Sequence, residues 1–287
     1  MTDLINQAFI SAAGAQATPS RIDGRQAGEF RKPLVRFGPL NGHAQVTIGS
    51  TVVAATIVGE ITPPAMERPN EGRLFFSVDL GQVANPAVYE YGRPTPEATS
   101  LCNYVERVLR GSKAIDVESL CILGGRSVWS VRCDLHVLND GGSLADACSL
   151  AALSSLLNFR HDAVCVDGET ASVFTENARD PVPLSIHHMP VSATFAVFSS
   201  KEGLTWFADP ATHEESALGS ILSLTVNQHG ELCGIHMPGG IPIDQSILSE
   251  CAAAAIQHAR DVSDVIKAEL HNHRITQSNS GQKRKRD

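Results

Sequence analysis

The alternation of hydrophobic and polar residues is clearest over residues 127–138, SVWSVRCDLHVL. This two-residue period predicts a strand with one buried face. The residues predicted to face the core are Trp129, Val131, Cys133, Leu135 and Val137. Residues 143–158 follow with an almost unbroken run of small and apolar side chains, LADACSLAALSSLL, which predicts a helix buried between two layers.

Three stretches before this strand are rich in β-branched residues and are separated by Gly, Asn and Pro. They are HAQVTIG (43–49), TVVAATIVGEI (51–61) and LFFSVDL (74–80). This pattern predicts an early antiparallel sheet. The segment 94–113, PTPEATSLCNYVERVLRGSK, predicts a helix that begins after a proline and ends near Gly111.

The second half of the chain repeats this organisation. Its predicted strands are PVSATFAVF, LTWFADP, ILSLTVNQ and LCGIHMP, and a long helix is predicted from Asp244 to about His271. Two strand-rich units closed by helices indicate an α/β (α+β) fold with duplicated βα units and mixed or antiparallel sheets. The predicted divisions are an N-terminal helix over 1–17, one large domain over 18–272 and a disordered basic tail over 273–287.

Composition narrows the class of protein. The chain has 287 residues, 43% of them hydrophobic, and a formal net charge of −8. Its seven cysteines include no C-x-x-C pair, which argues against a disulfide framework and a structural zinc site. No apolar run is long enough to span a membrane and no basic leader opens the sequence, so we expect a soluble intracellular protein. With this negative net charge, nucleic-acid binding would need a local basic patch or the contribution of partner chains.

The segment NDGGSLADACS (139–149) resembles a phosphate cradle at a helix start. One interpretation is structural, with Ser143 and Asp146 forming a capping pair. The other is an anion site at the helix N-terminus, which would need an arginine nearby. Leu144 follows Ser143, and Asp140 and Asp146 add negative charge. We therefore predict the capping pair.

Two basic segments are candidate RNA contacts. Arg107, Arg110 and Lys113 have helical spacing and share one side of the predicted helix. They could complement the helix dipole or contact RNA phosphates. The sequence QKRKRD (282–287) could act as a nuclear-import signal or as an RNA-binding tail.

Two further clusters contain residues suited to metal binding or acid–base chemistry. His187 and His188 are adjacent, so in an extended chain they point to opposite faces and do not chelate together. In DPATHEES, Asp209, Glu214 and Glu215 could serve acid–base or magnesium chemistry, or they could simply belong to a helix start. No P-loop, G-x-S-x-G or dinucleotide motif is present.

Four stretches together resemble the RNase PH family, within its exosome-ring branch. They are RIDGRQ (21–26), RGSKAIDVESLCI (110–122), VWSVRCDLHVLNDGGSLADACSLAAL (128–153) and RDPVPLSIHHMP (179–190). The resemblance extends from about residue 18 to about residue 270. It implies a duplicated ribosomal protein S5 domain 2-like βα fold, in a ring of six chains around a pore that threads RNA.

Active members of that family cleave RNA from its 3′ end with inorganic phosphate. They carry an arginine where this chain has Leu144, and an acidic residue before the strand that matches SIHHMP. Asp180 is out of register with that acid and is flanked by prolines. The resemblance therefore implies a subunit with no catalytic residues, no metal and no cofactor, in which Arg107, Arg110 and Lys113 contact RNA.

This resemblance predicts that the chain is a non-catalytic exosome ring subunit. Such a subunit would serve as a scaffold and line the path of the RNA in 3′–5′ RNA processing and decay, including rRNA maturation. The expected partners are other RNase PH-like ring subunits, cap subunits, associated nucleases and single-stranded RNA, but not a membrane. The expected location is the nucleus and nucleolus, and also the cytoplasm. Two alternatives are a phosphate-dependent exoribonuclease that uses Asp209 or Glu214 with magnesium, and a metabolic enzyme that shares only the fold.

Overall fold

The structure is a computed structural model that describes residues 21–81, 95–167, 170–173, 180–200, 203–218 and 220–284. The predicted N-terminal helix over 1–17 lies outside these residues. Within them, no helix is both long and apolar enough to cross a membrane.

The first sheet is mixed. Its strands are β1 (Pro33–Phe37), β2 (His43–Ile48), β3 (Thr51–Thr62), β4 (Arg73–Leu80), β5 (Cys121–Leu123) and β6 (Ser127–Asn139). The order is β1-β2-β3-β6-β4, with β5 also paired to β6. All pairs are antiparallel except β4 with β6, which is parallel. The prediction of a wholly antiparallel early sheet is therefore wrong for LFFSVDL, because a helix-containing segment separates this strand from its partner in the chain.

Strand β6 has the predicted alternation. The five residues predicted to face the core are all buried, while Arg132 and His136 on the other side are exposed. Val128 is an exception on the polar side, because it is also fully buried.

Helix α1 (Pro96–Glu106) begins at Thr95, whose hydroxyl accepts the N–H of Ala98. The helix then widens into one π-helical turn, Arg107–Gly111. Helix α2 (Leu144–Asn158) packs on strands β2 and β3 of the first sheet, and every residue from Asp146 to Leu156 is buried. This confirms the predicted buried helix.

Short antiparallel pairs connect the two halves: β7 (Arg160–His161) with β10 (Val182–Pro183), and β8 (Val164–Asp167) with β9 (Thr170–Val173). The second sheet is antiparallel in the order β12-β11-β13-β14. Its elements are β11 (Pro190–Ser200), β12 (Gly203–Ala208), α3 (Thr212–Leu218), β13 (Ile221–Asn227), β14 (Leu232–His236) and α4 (Gln245–Arg284). Helices α2 and α4 both pack on β11, so one core joins the two sheets. The predicted mixed α/β class is confirmed.

Helix α4 is longer than predicted. It continues to Arg284, beyond the end near His271 that the sequence predicts and into the segment predicted as a basic tail over 273–287. The sequence of this extension is polar, but lengthening an existing helix needs no new nucleus. Residues 285–287 lie outside the described part of the chain.

Candidate functional site

The candidate site is centred on the loop that leads from β6 into α2. Gly142 and Ser143 both have left-handed backbone conformations, with φ of 92° and 52°. The Thr51 hydroxyl accepts the N–H of Gly141 and donates to the carbonyl of Gly142. Arg31 donates to the carbonyls of Gly141 and Gly142 at 3.0 and 3.2 Å. Side chains distant in sequence therefore fix the loop before the helix begins.

The predicted capping pair is wrong. Ser143 lies in the left-handed region instead of the extended region of an ordinary N-cap, and its hydroxyl donates to the carbonyl of Pro210 at 3.3 Å. The Asp146 carboxylate points into the core, where it accepts the N–H and the hydroxyl of Thr194, both at 2.8 Å. Both side chains serve tertiary contacts instead of the helix end.

A carboxylate from the second half of the chain occupies the start of α2. Glu215 Oε1 accepts the N–H of Ser143 at 2.8 Å. Burial raises the pKa of Glu215 to about 7, although the Ser143 N–H partly offsets this effect. Burial likewise raises the pKa of Asp146 to about 7, against the opposing hydrogen bonds of Thr194. This helix end therefore already holds an acid, and a second one lies buried beside it.

An open cavity of about 440 Å³ lies in front of the helix start. Its walls combine apolar side chains, including Leu144, with the acids Glu97, Asp140 and Glu215. None of its described lining residues is Lys or Arg. A phosphate ion in this cavity would meet carboxylates without a compensating guanidinium, so the described walls disfavour anion binding.

The other acids of DPATHEES are held in buried ion pairs. Asp209 accepts from Arg31 Nε at 2.7 Å and from Arg25 Nη1 at 3.1 Å. Burial alone would raise the pKa of Asp209, but the hydrogen bonds and charge of Arg31, assisted by Arg25, outweigh it and hold the pKa below its ordinary value. Glu214 is paired with Arg21 inside the core.

These pairs bear on the two interpretations of Asp209 and Glu214. Residues 212–218 form helix α3, as the helix-start interpretation predicts, and Glu214 accepts the N–H of Ala211 at its beginning. Because arginines neutralise Asp209 and Glu214 within the core, neither carboxylate faces the cavity as a general acid or a magnesium ligand. In the described part of the chain, no group of three or more His, Cys, Asp or Glu residues could hold a metal ion.

The three basic residues predicted to contact RNA are all exposed. Arg107 Nη1 donates to Nδ1 of His236 at 3.0 Å, and His236 lines the cavity. Burial, followed by the charge of Arg107, lowers the pKa of His236, which keeps its ring neutral and able to accept. Arg110 forms an ion pair with Glu106 at 3.0 Å, and Lys113 follows the π-turn with φ of 56°. The structure therefore places Arg107 beside the cavity, with the other two residues further along the same segment.

Two of the sequence stretches that carry the family resemblance meet in the fold. Ile115 and Ile186 form an isolated antiparallel bridge, and the N–H of His187 donates to the carbonyl of Ala114 at 2.8 Å. His188 lies near Cys233, and Asp180 is exposed. The SKAID and SIHHMP segments therefore support each other structurally.

Sequence reasoning missed the roles of Arg31 and Glu215. Arg31 joins Asp209 to the glycine loop, and Glu215 satisfies the helix start. The partners of Arg31 are 110 to 178 residues away in sequence, so no local spacing indicates them. The only local signal was the cluster of acids in DPATHEES, whose partners the sequence does not identify.

Glu215→Gln is expected to become more stable relative to the wild type as pH rises from about 4.5 to about 8. The folded-state pKa is raised, so the folded protein keeps a proton that the unfolded chain has lost, and the wild type loses stability over this window. Gln keeps an oxygen for the Ser143 N–H but carries no charge. The relative gain should be on the order of 2 kcal/mol, measured by urea unfolding at the two pH values. The exposed Glu97→Gln is the control, and an equal difference at both pH values would contradict the assignment.

Both halves of the chain match models of one known protein family. Residues 29–162 match the RNase PH model described as 3′ exoribonuclease family, domain 1, and residues 188–258 match domain 2 of the same family. The exosome complex component RRP45 of Rattus norvegicus is 38% identical over 261 residues, which cover 91% of this chain and 59% of the rat protein. This chain therefore spans about three fifths of the length of that relative.

Other relatives are covered more completely. RRP45A of Arabidopsis thaliana is 36% identical, covering 86% of this chain and 80% of the plant protein. The Schizosaccharomyces pombe rrp45 is 37% identical, covering 87% and 85% of the two chains. Among solved structures, a chain of the Archaeoglobus fulgidus exosome with RNA bound to the active site superposes with a TM-score of 0.77 at 26% identity, covering 92% of this chain and 98% of the archaeal one.

Proposed function

The chain belongs to the RNase PH family of 3′ exoribonucleases, and from this premise we propose that it is a non-catalytic ring subunit of an RNA exosome. The family resemblance predicted from the sequence is confirmed. The relatives are called exosome complex components, which supports the proposal that this chain belongs to such a complex. The similar archaeal structure contains RNA, which supports an RNA path for this chain.

The observation that carries the non-catalytic assignment is the composition of the cavity at the start of α2. Phosphorolysis needs cations to hold the attacking phosphate and a group that stabilises the departing 3′ oxygen. The described walls instead present Leu144 and three carboxylates, while Asp209 and Glu214 are neutralised by arginines in the core. We therefore infer that this subunit contributes scaffold and RNA-contact surface instead of chemistry.

The decisive experiment is native purification of the tagged full chain from its own cells, followed by identification of its partners and a nuclease assay. We expect recovery with other RNase PH-like chains, cap subunits and associated nucleases. The purified chain alone should release no nucleoside diphosphates from single-stranded RNA when phosphate is added. Recovery only as a monomer or homo-oligomer would contradict the ring assignment, and phosphate-dependent release would contradict the non-catalytic one.

Alanine substitutions at Arg107, Arg110 and Lys113 are expected to weaken RNA binding by the assembly without changing sequence preference. Each lost phosphate contact should reduce the slope of log K against log salt by about 0.7 for single-stranded RNA. Arg107 should have a larger effect than Arg110, because Arg107 contacts a histidine whereas the Glu106 carboxylate already pairs with Arg110. Fluorescence anisotropy over a salt series measures both quantities. Arg132→Ala, an exposed arginine paired with Asp134, is the control and should leave the slope unchanged.

The proposal also places the chain in the nucleus and nucleolus as well as the cytoplasm. Its support is the basic run KRKR over 283–286. Imaging of the tagged chain with these four residues changed to Gln would test this placement, and unchanged nuclear signal would exclude the run as the import signal.

A further inference from the structure

A second open cavity, of about 500 Å³, lies at the C-terminal end of α2. Two arginines, Arg160 and Arg274, line it together with the amides of Asn41, Asn158 and Gln277. Helix α2 has 15 residues, so at about 1.5 Å per residue this cavity is about 22 Å from the cavity at Leu144. The two cavities are therefore separate, and they differ in charge.

The backbone of Arg160 is held on both of its polar groups. The Asn41 side chain accepts the N–H of Arg160 at 2.9 Å and donates to its carbonyl at 2.5 Å. Arg160 also pairs with Pro183 in the short β7–β10 ladder. Its guanidinium, in contrast, makes one long hydrogen bond of 3.5 Å, to the carbonyl of Pro181. The residue is anchored at its backbone, while most of its side-chain donors are left for another partner.

Arg274 reaches the same cavity from α4. Its guanidinium donates to the carbonyl of Leu157, in the last turn of α2, at 3.5 Å. Capping the C-terminal end of α2 would occupy only one of the five N–H donors of Arg274. Among the described residues, no carboxylate lies within ion-pair distance of Arg160 or Arg274, and the exposed Asp162 does not line the cavity.

Arg160 and Arg274 differ from many other arginines of the chain in having no carboxylate partner in the part that the structure describes. This difference matters because the chain as a whole is acidic, with a net charge of −8. Arginines that pair with a carboxylate include buried and surface residues: Arg21, Arg25, Arg31, Arg68, Arg110 and Arg132. Two guanidinium groups that face one polar cavity without such partners are suited to an external oxyanion. The planar fork of arginine binds phosphate through paired hydrogen bonds.

We propose that Arg160 and Arg274 form a second RNA-contact site, which binds phosphodiester groups of single-stranded RNA at the C-terminal end of α2. This inference rests on the proposed function as an RNA-path subunit. Helix α4 continues for ten residues from Arg274 to Arg284, a rise of about 15 Å, and leads directly into the basic run over 283–286. Arg274 and the first two residues of this run therefore lie on one helix. An acidic peptide would offer similar charge, but the RNA in the similar archaeal exosome favours a nucleic acid.

The test uses the full chain in its purified assembly and a set of fluorescein-labelled oligouridylates of increasing length, titrated over a salt series. The double variant Arg160→Gln with Arg274→Gln should bind long oligonucleotides about tenfold more weakly, with a salt slope reduced by about 1.4 for two lost contacts. Arg160→Lys with Arg274→Lys keeps the charge and should retain most of the slope. Arg132→Gln with Arg260→Gln removes the same charge from exposed positions elsewhere and should have no effect on the slope.

The outcomes separate this inference from the proposed function. Suppose that the wild-type assembly binds RNA and that the alanine variants at Arg107, Arg110 and Lys113 weaken this binding. If the Gln double variant then binds RNA with unchanged affinity and salt slope, the second site is wrong and the proposed function stands. If the wild-type assembly binds no RNA, the proposed function and this site both fail. Loss of binding to a fluorescent polyglutamate probe in the Gln variant, with RNA binding unchanged, would assign the cavity to an acidic peptide and overturn the RNA assignment. Equal urea midpoints for the variants and the wild type show that reduced binding is not caused by unfolding.

Discussion

Asp209→Asn is expected to lower the free energy of unfolding by about 3–5 kcal/mol, the cost of removing one partner from a buried ion pair. Asp209 is 3% exposed and neutralises Arg25 and Arg31, whose side chains are 12% and 13% exposed. Asn fits the same space and tolerates the left-handed backbone at this position, where φ is 48°. The substitution therefore removes the charge with little change in shape, and it turns one acceptor toward the guanidinium groups into a donor.

The matched control is Asp23→Asn. Asp23 also pairs with Arg25, but its side chain is 32% exposed, so the loss should be under about 1 kcal/mol. Urea unfolding of the purified chain measures both variants. A double-mutant cycle with Arg31→Gln should show strong coupling to Asp209→Asn, because the two residues share hydrogen bonds. If Asp209→Asn costs no more than Asp23→Asn, the ion cluster formed by Asp209, Arg25 and Arg31 does not hold the two halves of the chain together.

The ion cluster also shows where sequence reasoning reaches its limit. Strand β6 and helix α2 were predicted almost residue by residue, because their periodicity reflects burial on one face or on all faces. The family motifs were also recognisable as short stretches. The contact between Arg31 and Asp209 joins residues 178 positions apart, and nothing local to either residue identifies the other.

The incorrect capping prediction has a similar cause. A serine followed three residues later by an acid is a good local signal for a helix start, and α2 does begin there. The loop, however, is placed by Arg31 and Thr51 from one side and by residues 209–215 from the other. This tertiary placement puts Ser143 in a left-handed conformation and replaces the local cap with Glu215. The position of the helix was predictable, whereas the group that satisfies its first N–H was not.

The same distinction applies to the functional residues. Local spacing predicts Arg107, Arg110 and Lys113 as RNA contacts, and these remain predictions. The cavity of Arg160 and Arg274 combines a strand after α2 with a turn of α4, and residues 114 positions apart give no local pattern. Surfaces assembled from different elements become visible only when the chain is folded.

Gly142→Ala should destabilise the chain by about 3–5 kcal/mol, the sum of an unfavourable left-handed backbone and overpacking against main-chain atoms. A Cβ at this position would lie 2.5 Å from the carbonyl oxygen of Pro210 and 2.5 Å from the nitrogen of Thr212. Both contacts are with backbone, so no side-chain rotation can relieve them. The loop before α2 and the turn before α3 would have to separate.

Gly125→Ala isolates the backbone contribution, because Gly125 also has a positive φ, of 75°, but a Cβ there would meet nothing within 4 Å. Its loss should be about 1–2 kcal/mol, so the excess cost at Gly142 measures the close approach of the two segments. Separation of these segments should also weaken the hydrogen bond between Glu215 and Ser143, and the pH-dependent gain of Glu215→Gln should shrink in the Gly142→Ala background. Equal losses at the two glycines would mean that the segments can move apart at little cost. In that case the carboxylate at the start of α2 would not be fixed in place, and the structural argument against phosphate binding there would fail.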